Sequence, residues 1–257
     1  MIKKIKNIIS KKNKLKIVCL TAYSKNIAKI LDNHVDIILV GDSMANVLYG
    51  HKNTHAITLE NIIQHTQSVR KGTKKSLLVV DMPKGSYENI KDAIKNSKFV
   101  MKKTKCDAVK LESNKKNFQI IKSLVKKKIP VMGHIGFTPQ YKKKFKPQGF
   151  KKNEEIRLIE ESKKIEKAGA FSLVLECVAE KTAKKITKLI SIPTIGIGSS
   201  KFCDGQILVT DDLIGLSGFY PKFVGRYLNL QKVLGRVLSK FKQDVRKGKF
   251  PKKTNTY

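Results

Sequence analysis

The chain has 257 residues, a length typical of one (β/α)₈ barrel, and its 54 Lys and Arg against 20 Asp and Glu give a formal net charge of +34. No stretch approaches the roughly 18 consecutive apolar residues of a transmembrane helix, and the basic N-terminus lacks the apolar core and cleavage site of a signal peptide. The four cysteines show no CxxC spacing, so we expect buried, reduced thiols in a cytoplasmic protein without membrane contact.

The high positive charge has two interpretations. A nucleic-acid or anionic-membrane binder clusters its basic residues, and a nucleic-acid reader usually relies on arginine for bidentate contacts. Only five arginines occur here, and the lysines are spread over nearly every predicted helix without interleaved aromatic residues. We therefore favour a lysine-rich solvated surface and expect no specific nucleic-acid partner.

Apolar segments and lysine-rich helical segments alternate along the chain. Short runs of Val, Ile and Leu bounded by Gly, Pro or Ser are typical of buried parallel strands. Eight such runs cover residues 16–22, 36–41, 76–81, 107–112, 130–134, 171–176, 193–197 and 206–209. Helical spacing predicts helices over residues 24–33, 58–71, 88–103, 115–127, 153–168, 180–190 and 221–247.

Three features refine this prediction. The apolar residues of segment 1–14 have the spacing of a short amphipathic helix, and we expect the last helix to break near Gly235. Thr58 and Ser86 are expected helix starts. The order of elements predicts an α/β fold, a (β/α)₈ TIM barrel with a single domain over residues 1–257.

Five of the apolar runs end on a carboxylate or a histidine. These residues are Asp42, Asp81, Glu112, His134 and Glu176. In a (β/α)₈ barrel the carboxyl ends of the strands form the mouth that carries the reactive groups. We therefore expect the five side chains to meet at one site, with the long loops 42–57 and 135–152 beside it.

The acids and one lysine point to cation and anion binding. Asp42 and Asp81 end adjacent strands and Glu112 ends the next, an all-oxygen set that favours Mg²⁺ over zinc. The alternative for each acid is a strand-end cap or an ion pair with lysine. Lys110 shares a strand face with Glu112, where it either holds an anionic substrate or bridges to the acids.

His134 and Glu176 are candidates for proton transfer. A neutral imidazole can hydrogen-bond a substrate oxygen or carry a proton, and an apolar wall raises the pKa of a carboxylic acid into the range of a general base. The alternatives are a histidine satisfied by backbone groups and a buried glutamate paired with lysine.

Several motifs together resemble the ketopantoate hydroxymethyltransferase family, in register from about residue 15 to the end. They are LTAY (20–23), VGDS (40–43), YGH (49–51), DMPKGSY (81–87), VKLE (109–112), GHIGFTPQ (133–140), LVLECV (173–178), IPTIGIGSS (192–200) and DGQILVTDDLIG (204–215). The resemblance implies transfer of a hydroxymethyl group from 5,10-methylenetetrahydrofolate to 3-methyl-2-oxobutanoate. The product would be 2-dehydropantoate, in pantothenate and coenzyme A biosynthesis. The resemblance also implies one Mg²⁺ per subunit and a homo-oligomer, usually a decamer.

The resemblance assigns roles to residues of this sequence. It implies that Asp42 and Asp81 bind the metal, that Glu112 completes the metal shell, and that Glu176 removes the C3 proton. The residues that it places against the keto acid are Asp42, Ser43, Asp81, Lys110 and His134. In this scheme Mg²⁺ acts as a Lewis acid that stabilises an enolate.

Some positions depart from the family's pattern without touching an expected ligand or base. They are Ala45, Asn46, Lys84, Pro147, Phe150 and Ser200. We expect them to affect loops and folate contacts rather than the class of reaction. Two other functions stay open: a lyase or mutase of the phosphoenolpyruvate mutase and isocitrate lyase type, whose KKCGH-like loop is missing here, and a non-enzymatic basic protein on a decayed barrel.

Overall fold

The computed structural model describes residues 3–113, 117–142, 144–218, 220–225 and 227–257. The chain divides into two compact units, Met1–Val209 and Thr210–Tyr257. The expectation of a single domain over residues 1–257 stays a prediction.

The first unit is built on a closed barrel of eight parallel strands. They are β1 (Ile17–Thr21), β2 (Ile37–Val40), β3 (Leu77–Asp81), β4 (Ala108–Glu112), β5 (Val131–Gly136), β6 (Ser172–Glu176), β7 (Thr194–Ile197) and β8 (Gly205–Leu208). Each strand pairs with the next and β8 pairs with β1. The predicted (β/α)₈ barrel is therefore confirmed, and each predicted strand lies within about two residues of an observed one.

One helix precedes β1, and the other helices described in this unit lie between strands. In chain order the helices are α1 (Lys3–Ser10), α2 (Lys25–Leu31), α3 (Met44–Val47), α4 (Leu59–Gly72), α5 (Ile90–Thr104), α6 (Phe118–Lys126), α7 (Lys152–Lys167) and α8 (Glu180–Leu189), with a 3₁₀ turn at Thr54–Ala56. The first two residues of the helix predicted over 115–127 lie outside the described residues. Within the described ranges, no helix is long and apolar enough to cross a membrane.

One predicted helix start is right and the other is wrong. Thr58 caps α4 in a reciprocal capping box with Asn61. Helix α5 begins instead after Asn89, whose side chain accepts the backbone N–H of Asp92 at 2.9 Å. Ser86 donates its hydroxyl to the carbonyl of Pro83, so its side chain is not available as a cap.

Helix α1 packs at the amino-terminal end of the barrel. Its residues Ile5 and Ile8 are buried in one apolar cluster with the first residues of several strands, including Ile17, Ile37 and Leu77. This cluster lies at the opposite end of the strands from the five predicted strand-end residues. A short amphipathic helix was expected here, and its apolar face closes this end of the barrel.

The second unit contains α9 (Thr210–Leu213), α10 (Leu230–Arg246) and a 3₁₀ turn at Lys253–Asn255. The predicted break near Gly235 is wrong, because α10 runs through that position without interruption. One glycine costs a helix only about 1 kcal/mol relative to alanine, which is too little to end a helix of this length.

The predicted buried thiols are confirmed, since all four cysteines of the chain are free and buried.

Candidate active site

The carboxyl ends of β2 to β6 bring the predicted residues into one cluster. Strand register places Asp81 beside Lys110, Glu112 beside His134, and Gly136 beside Glu176. Because parallel strands end at the same edge, residues far apart in sequence become neighbours there.

Lys110 and Asp81 form a buried ion pair. The Nζ of Lys110 donates to both carboxylate oxygens of Asp81, at 2.8 and 2.9 Å. Burial alone would lower the pKa of Lys110, but the nearby carboxylates outweigh it and raise that pKa, so the amine is charged. Burial raises the pKa of Asp81 to about 6 even though Lys110 opposes the shift. Of the two roles expected for Lys110, the structure shows the bridge to an acid.

Asp42 and Glu112 are buried next to this pair, and neither has an ion pair with a lysine or arginine among the described residues. The backbone N–H of Asp42 donates to Asp81 Oδ2 at 3.5 Å. Burial raises the pKa of Asp42 despite Lys110, and burial together with the charge of Asp42 raises the pKa of Glu112 well above its usual value. Three carboxyl groups therefore share one lysine, and their raised pKa values mean that burial and mutual repulsion disfavour the charged forms unless a further cation joins them.

This donor set fits a hard divalent cation held by few protein ligands. Over the described ranges, no group of three or more His, Cys, Asp or Glu side chains is arranged to hold a metal ion. Mg²⁺, however, commonly uses one or two carboxylates and completes its shell with water and substrate oxygens. Asp42 and Asp81 are adjacent, and a carboxylate oxygen that accepts one hydrogen bond keeps a further lone pair. The roles expected for the metal ligands, including Glu112, stay predictions.

His134 and Glu176 lie side by side. Their Nε2 and Oε2 atoms are 3.3 Å apart, but neither ring nitrogen of His134 has a well-aligned hydrogen-bond partner among the described residues. Burial lowers the pKa of His134 well below its usual value, so the ring is neutral near pH 7. Burial raises the pKa of Glu176 to about 7, while its side chain keeps 21% exposure. A carboxylate with these properties suits a general base.

Ser43 begins the short helix α3, directly after Asp42. Its hydroxyl lies 2.9 Å from the hydroxyl of Tyr23. The segment 42–57, expected to be a long loop, contains α3 and the turn at Thr54–Ala56. The expected contact between Ser43 and the keto acid stays a prediction.

Gln140 also belongs to this cluster, although its sequence context did not predict it. Its side chain donates to Asp42 Oδ2 at 2.8 Å, and its backbone N–H donates to Glu112 Oε2 at 3.0 Å. Gln140 ends the GHIGFTPQ motif, but a neutral side chain in a loop carries no charge or periodicity that would mark it.

Comparison with known proteins gives one family and one fold. Residues 2–253 match the sequence profile described as "Ketopantoate hydroxymethyltransferase". The chain is 55% identical to 3-methyl-2-oxobutanoate hydroxymethyltransferase of Pelagibacter ubique (strain HTCC1062) over 100% of both chains. It is 45% identical to the protein of that name from Phenylobacterium zucineum (strain HLK1), over 98% of this chain and 93% of the relative.

Among solved structures, similar barrels occur in the phosphoenolpyruvate mutase and isocitrate lyase superfamily. A 2,3-dimethylmalate lyase aligns with a TM-score of 0.63 at 11% identity, over 96% of this chain and 89% of that one. A phosphonopyruvate hydrolase in complex with oxalate and Mg²⁺ aligns with a TM-score of 0.62 at 10% identity, over 99% of this chain and 93% of that one. At such low identity the likeness shows the fold alone.

Proposed function

This chain belongs to the ketopantoate hydroxymethyltransferase family, and from that membership we propose the reaction that its barrel mouth catalyses. The proposed reaction moves a hydroxymethyl group from 5,10-methylenetetrahydrofolate to 3-methyl-2-oxobutanoate and gives 2-dehydropantoate. The observation that carries the proposal is the position of Glu176, a carboxylate with a pKa of about 7, in the same strand-end cluster as three further acids and a charged lysine.

The acids and Lys110 serve to bind the anionic keto acid. Asp42 and Asp81 would hold Mg²⁺, with Glu112 contributing the third carboxylate of the site. When bound, Mg²⁺ supplies Lewis-acid polarisation of the keto group, which makes the C3 proton more acidic. The charged Lys110 adds positive charge for the substrate's carboxylate, and Ser43 adds a hydroxyl at the edge of the site.

Glu176 then performs the proton transfer. Its carboxylate takes the proton from C3, and the electrons of that C–H bond pass into the enolate. The methylene carbon of the folate is bonded to two nitrogens, and both of these C–N bonds break. C3 forms the new carbon–carbon bond in place of one, and water supplies the hydroxyl oxygen in place of the other. The two nitrogens leave with the protons given up by C3 and by water. The neutral ring of His134 lies against Glu176 without cancelling its charge, so the carboxylate keeps its basicity.

The test is deuterium exchange at C3, which needs no folate. We expect NMR to show loss of the C3 proton of 3-methyl-2-oxobutanoate in D₂O when Mg²⁺ is present. Glu176→Gln should slow this exchange by about 10²-fold or more, the usual contribution of a general base. Metal and keto-acid binding, measured by calorimetry, should stay close to that of the unchanged chain.

Glu160→Gln is the matched control, because Glu160 is an exposed glutamate on α7. It should leave the exchange rate unchanged. Exchange that persists in Glu176→Gln would show that another group removes the proton. Exchange that proceeds without product after addition of 5,10-methylenetetrahydrofolate would instead show that the one-carbon donor is wrong.

The family also supports proposals about assembly and location. We propose a cytoplasmic homo-oligomer, a decamer as is usual in the family, with small-molecule substrates as its main partners. Sedimentation velocity at low protein concentration would measure the subunit number directly.

A further inference from the structure

Two of the clustered carboxylates share one neutral partner, the loop residue Gln140, which is 0% exposed. Its Nε2 donates to Asp42 Oδ2 at 2.8 Å and to the carbonyl of Met82 at 3.0 Å. Its Oε1 accepts the hydroxyl of Tyr87. Its backbone N–H donates to Glu112 Oε2 at 3.0 Å. A single residue of the loop after β5 therefore reaches the ends of β2, β3 and β4.

The chemistry of these partners fixes the orientation of the amide. A carboxylate and a backbone carbonyl can only accept hydrogen bonds, so the NH₂ end of Gln140 must face Asp42 and Met82. The opposite orientation would place Oε1 against two acceptors in a buried site, where an unsatisfied polar group is costly. Both amide hydrogens and the amide oxygen thus have a partner.

We propose that Gln140 is a positioning residue that holds Asp42, through its side chain, and Glu112, through its backbone N–H, for cation binding. This inference rests on the proposed function. Lys110 holds Asp81 in place but also compensates its negative charge. The neutral amide of Gln140 holds Asp42 in place and leaves the charge of that carboxylate uncompensated. Such outer contacts to metal-binding carboxylates typically change metal affinity by about 10–100-fold.

The test measures Mn²⁺ binding by electron paramagnetic resonance, without substrate. Gln140→Met removes every polar atom of the side chain at similar volume and keeps the backbone N–H. We expect its dissociation constant for Mn²⁺ to rise about 10–100-fold. Gln140→Leu, a second variant without polar side-chain atoms, should show the same loss.

The matched control is Gln148→Met, which changes a buried glutamine of the same loop. The amide of Gln148 contacts the carbonyl of Lys146 at 2.9 Å and Arg157 at 3.0 Å, away from the carboxylates. We expect its Mn²⁺ affinity to equal that of the unchanged chain.

Hydrogen exchange of two loop amides distinguishes a positioning role from a purely structural one. The backbone N–H of Phe137 donates to the carbonyl of Glu176 at 2.8 Å, and that of Gln148 donates to the carbonyl of Cys177 at 2.9 Å. If Gln140 is a positioning residue, both stay protected in Gln140→Met while Mn²⁺ affinity falls. The inference is overturned if affinity is unchanged, if affinity and protection fall together, or if neither Gln140 variant folds while Gln148→Met does. Failure of the unchanged chain to bind Mn²⁺ would instead count against the proposed metal site itself.

Discussion

The grouping of residues at the strand ends was predictable where a charged residue directly follows an apolar run in the sequence. Asp81, Glu112 and Glu176 each end a buried strand, and strand order alone brings them together. Gln140 was not predictable in this way, because its contact with Asp42 spans 98 positions and depends on how a loop folds back over the mouth. The ion-pair partner of Lys110 was also not predictable, because the face of a strand on which an amine lies does not determine which of several nearby acids it contacts.

The pKa of Glu176 predicts the pH range of the proposed exchange reaction. A general base acts in its deprotonated form, and burial raises the pKa of Glu176 to about 7. The exchange rate should therefore rise about tenfold per pH unit well below pH 7 and level off above about pH 8. We expect no step from His134 near pH 7, because burial lowers its pKa well below the usual value.

The measurement is the initial rate of deuterium incorporation between about pH 5.5 and 8.5, at saturating keto acid and Mg²⁺. Far-ultraviolet circular dichroism at each pH is the control for folding. A rate that is flat from pH 5.5 upward would indicate a carboxylic acid with an ordinary pKa of about 4.3 and would remove the argument for Glu176 as the base.

Elements were easier to predict than their boundaries. Runs of buried β-branched residues between turn signals identify parallel strands because both faces of such a sheet are covered. Boundaries depend on which side chain reaches an unpaired backbone group, and Asn89 rather than Ser86 does so at α5. Helix α3 escaped prediction because Met44–Val47 is a single turn, too short to show a helical period.

Helix α1 offers a prediction about stability at the end of the barrel away from the site. Ile8 is only 2% exposed in the apolar cluster that closes the barrel. Ile8→Ala should lower the free energy of unfolding by about 2–5 kcal/mol, through lost burial and the cavity left behind. The midpoint of urea unfolding measures this loss, and the exchange rate of the folded variant should be unchanged.

Lys6→Ala is the control on the same helix, since Lys6 is exposed. Its effect on unfolding should stay within about 0.5 kcal/mol. Equal effects of the two variants would show that α1 contributes through helix formation rather than through the packing of its apolar face.

At the scale of the whole molecule, the chain carries a formal charge of +34 over 257 residues. Acidic partners are too few to pair with most of the lysines, so repulsion among like charges opposes the compact state. Long-range repulsion weakens with added salt, because the Debye length falls from about 30 Å at 0.01 M to about 8 Å at 0.15 M. Sequence alone predicted this balance, since it depends on composition rather than on particular contacts.

We therefore expect the free energy of unfolding to increase as NaCl rises from about 0.01 to 0.3 M. Urea unfolding at each salt concentration measures the change. Potassium glutamate at equal ionic strength separates screening from the binding of a particular anion. A fall in stability with salt would show that surface ion pairs outweigh the repulsion.

The buried pair of Lys110 and Asp81 has a consequence for the order of folding and ion binding. Because the amine already compensates part of the acidic cluster, we expect the chain to fold without a metal ion. Binding of the proposed ion would then follow folding as a separate, reversible event. A chain stripped of its ion would then stay folded and could be loaded again without being made anew.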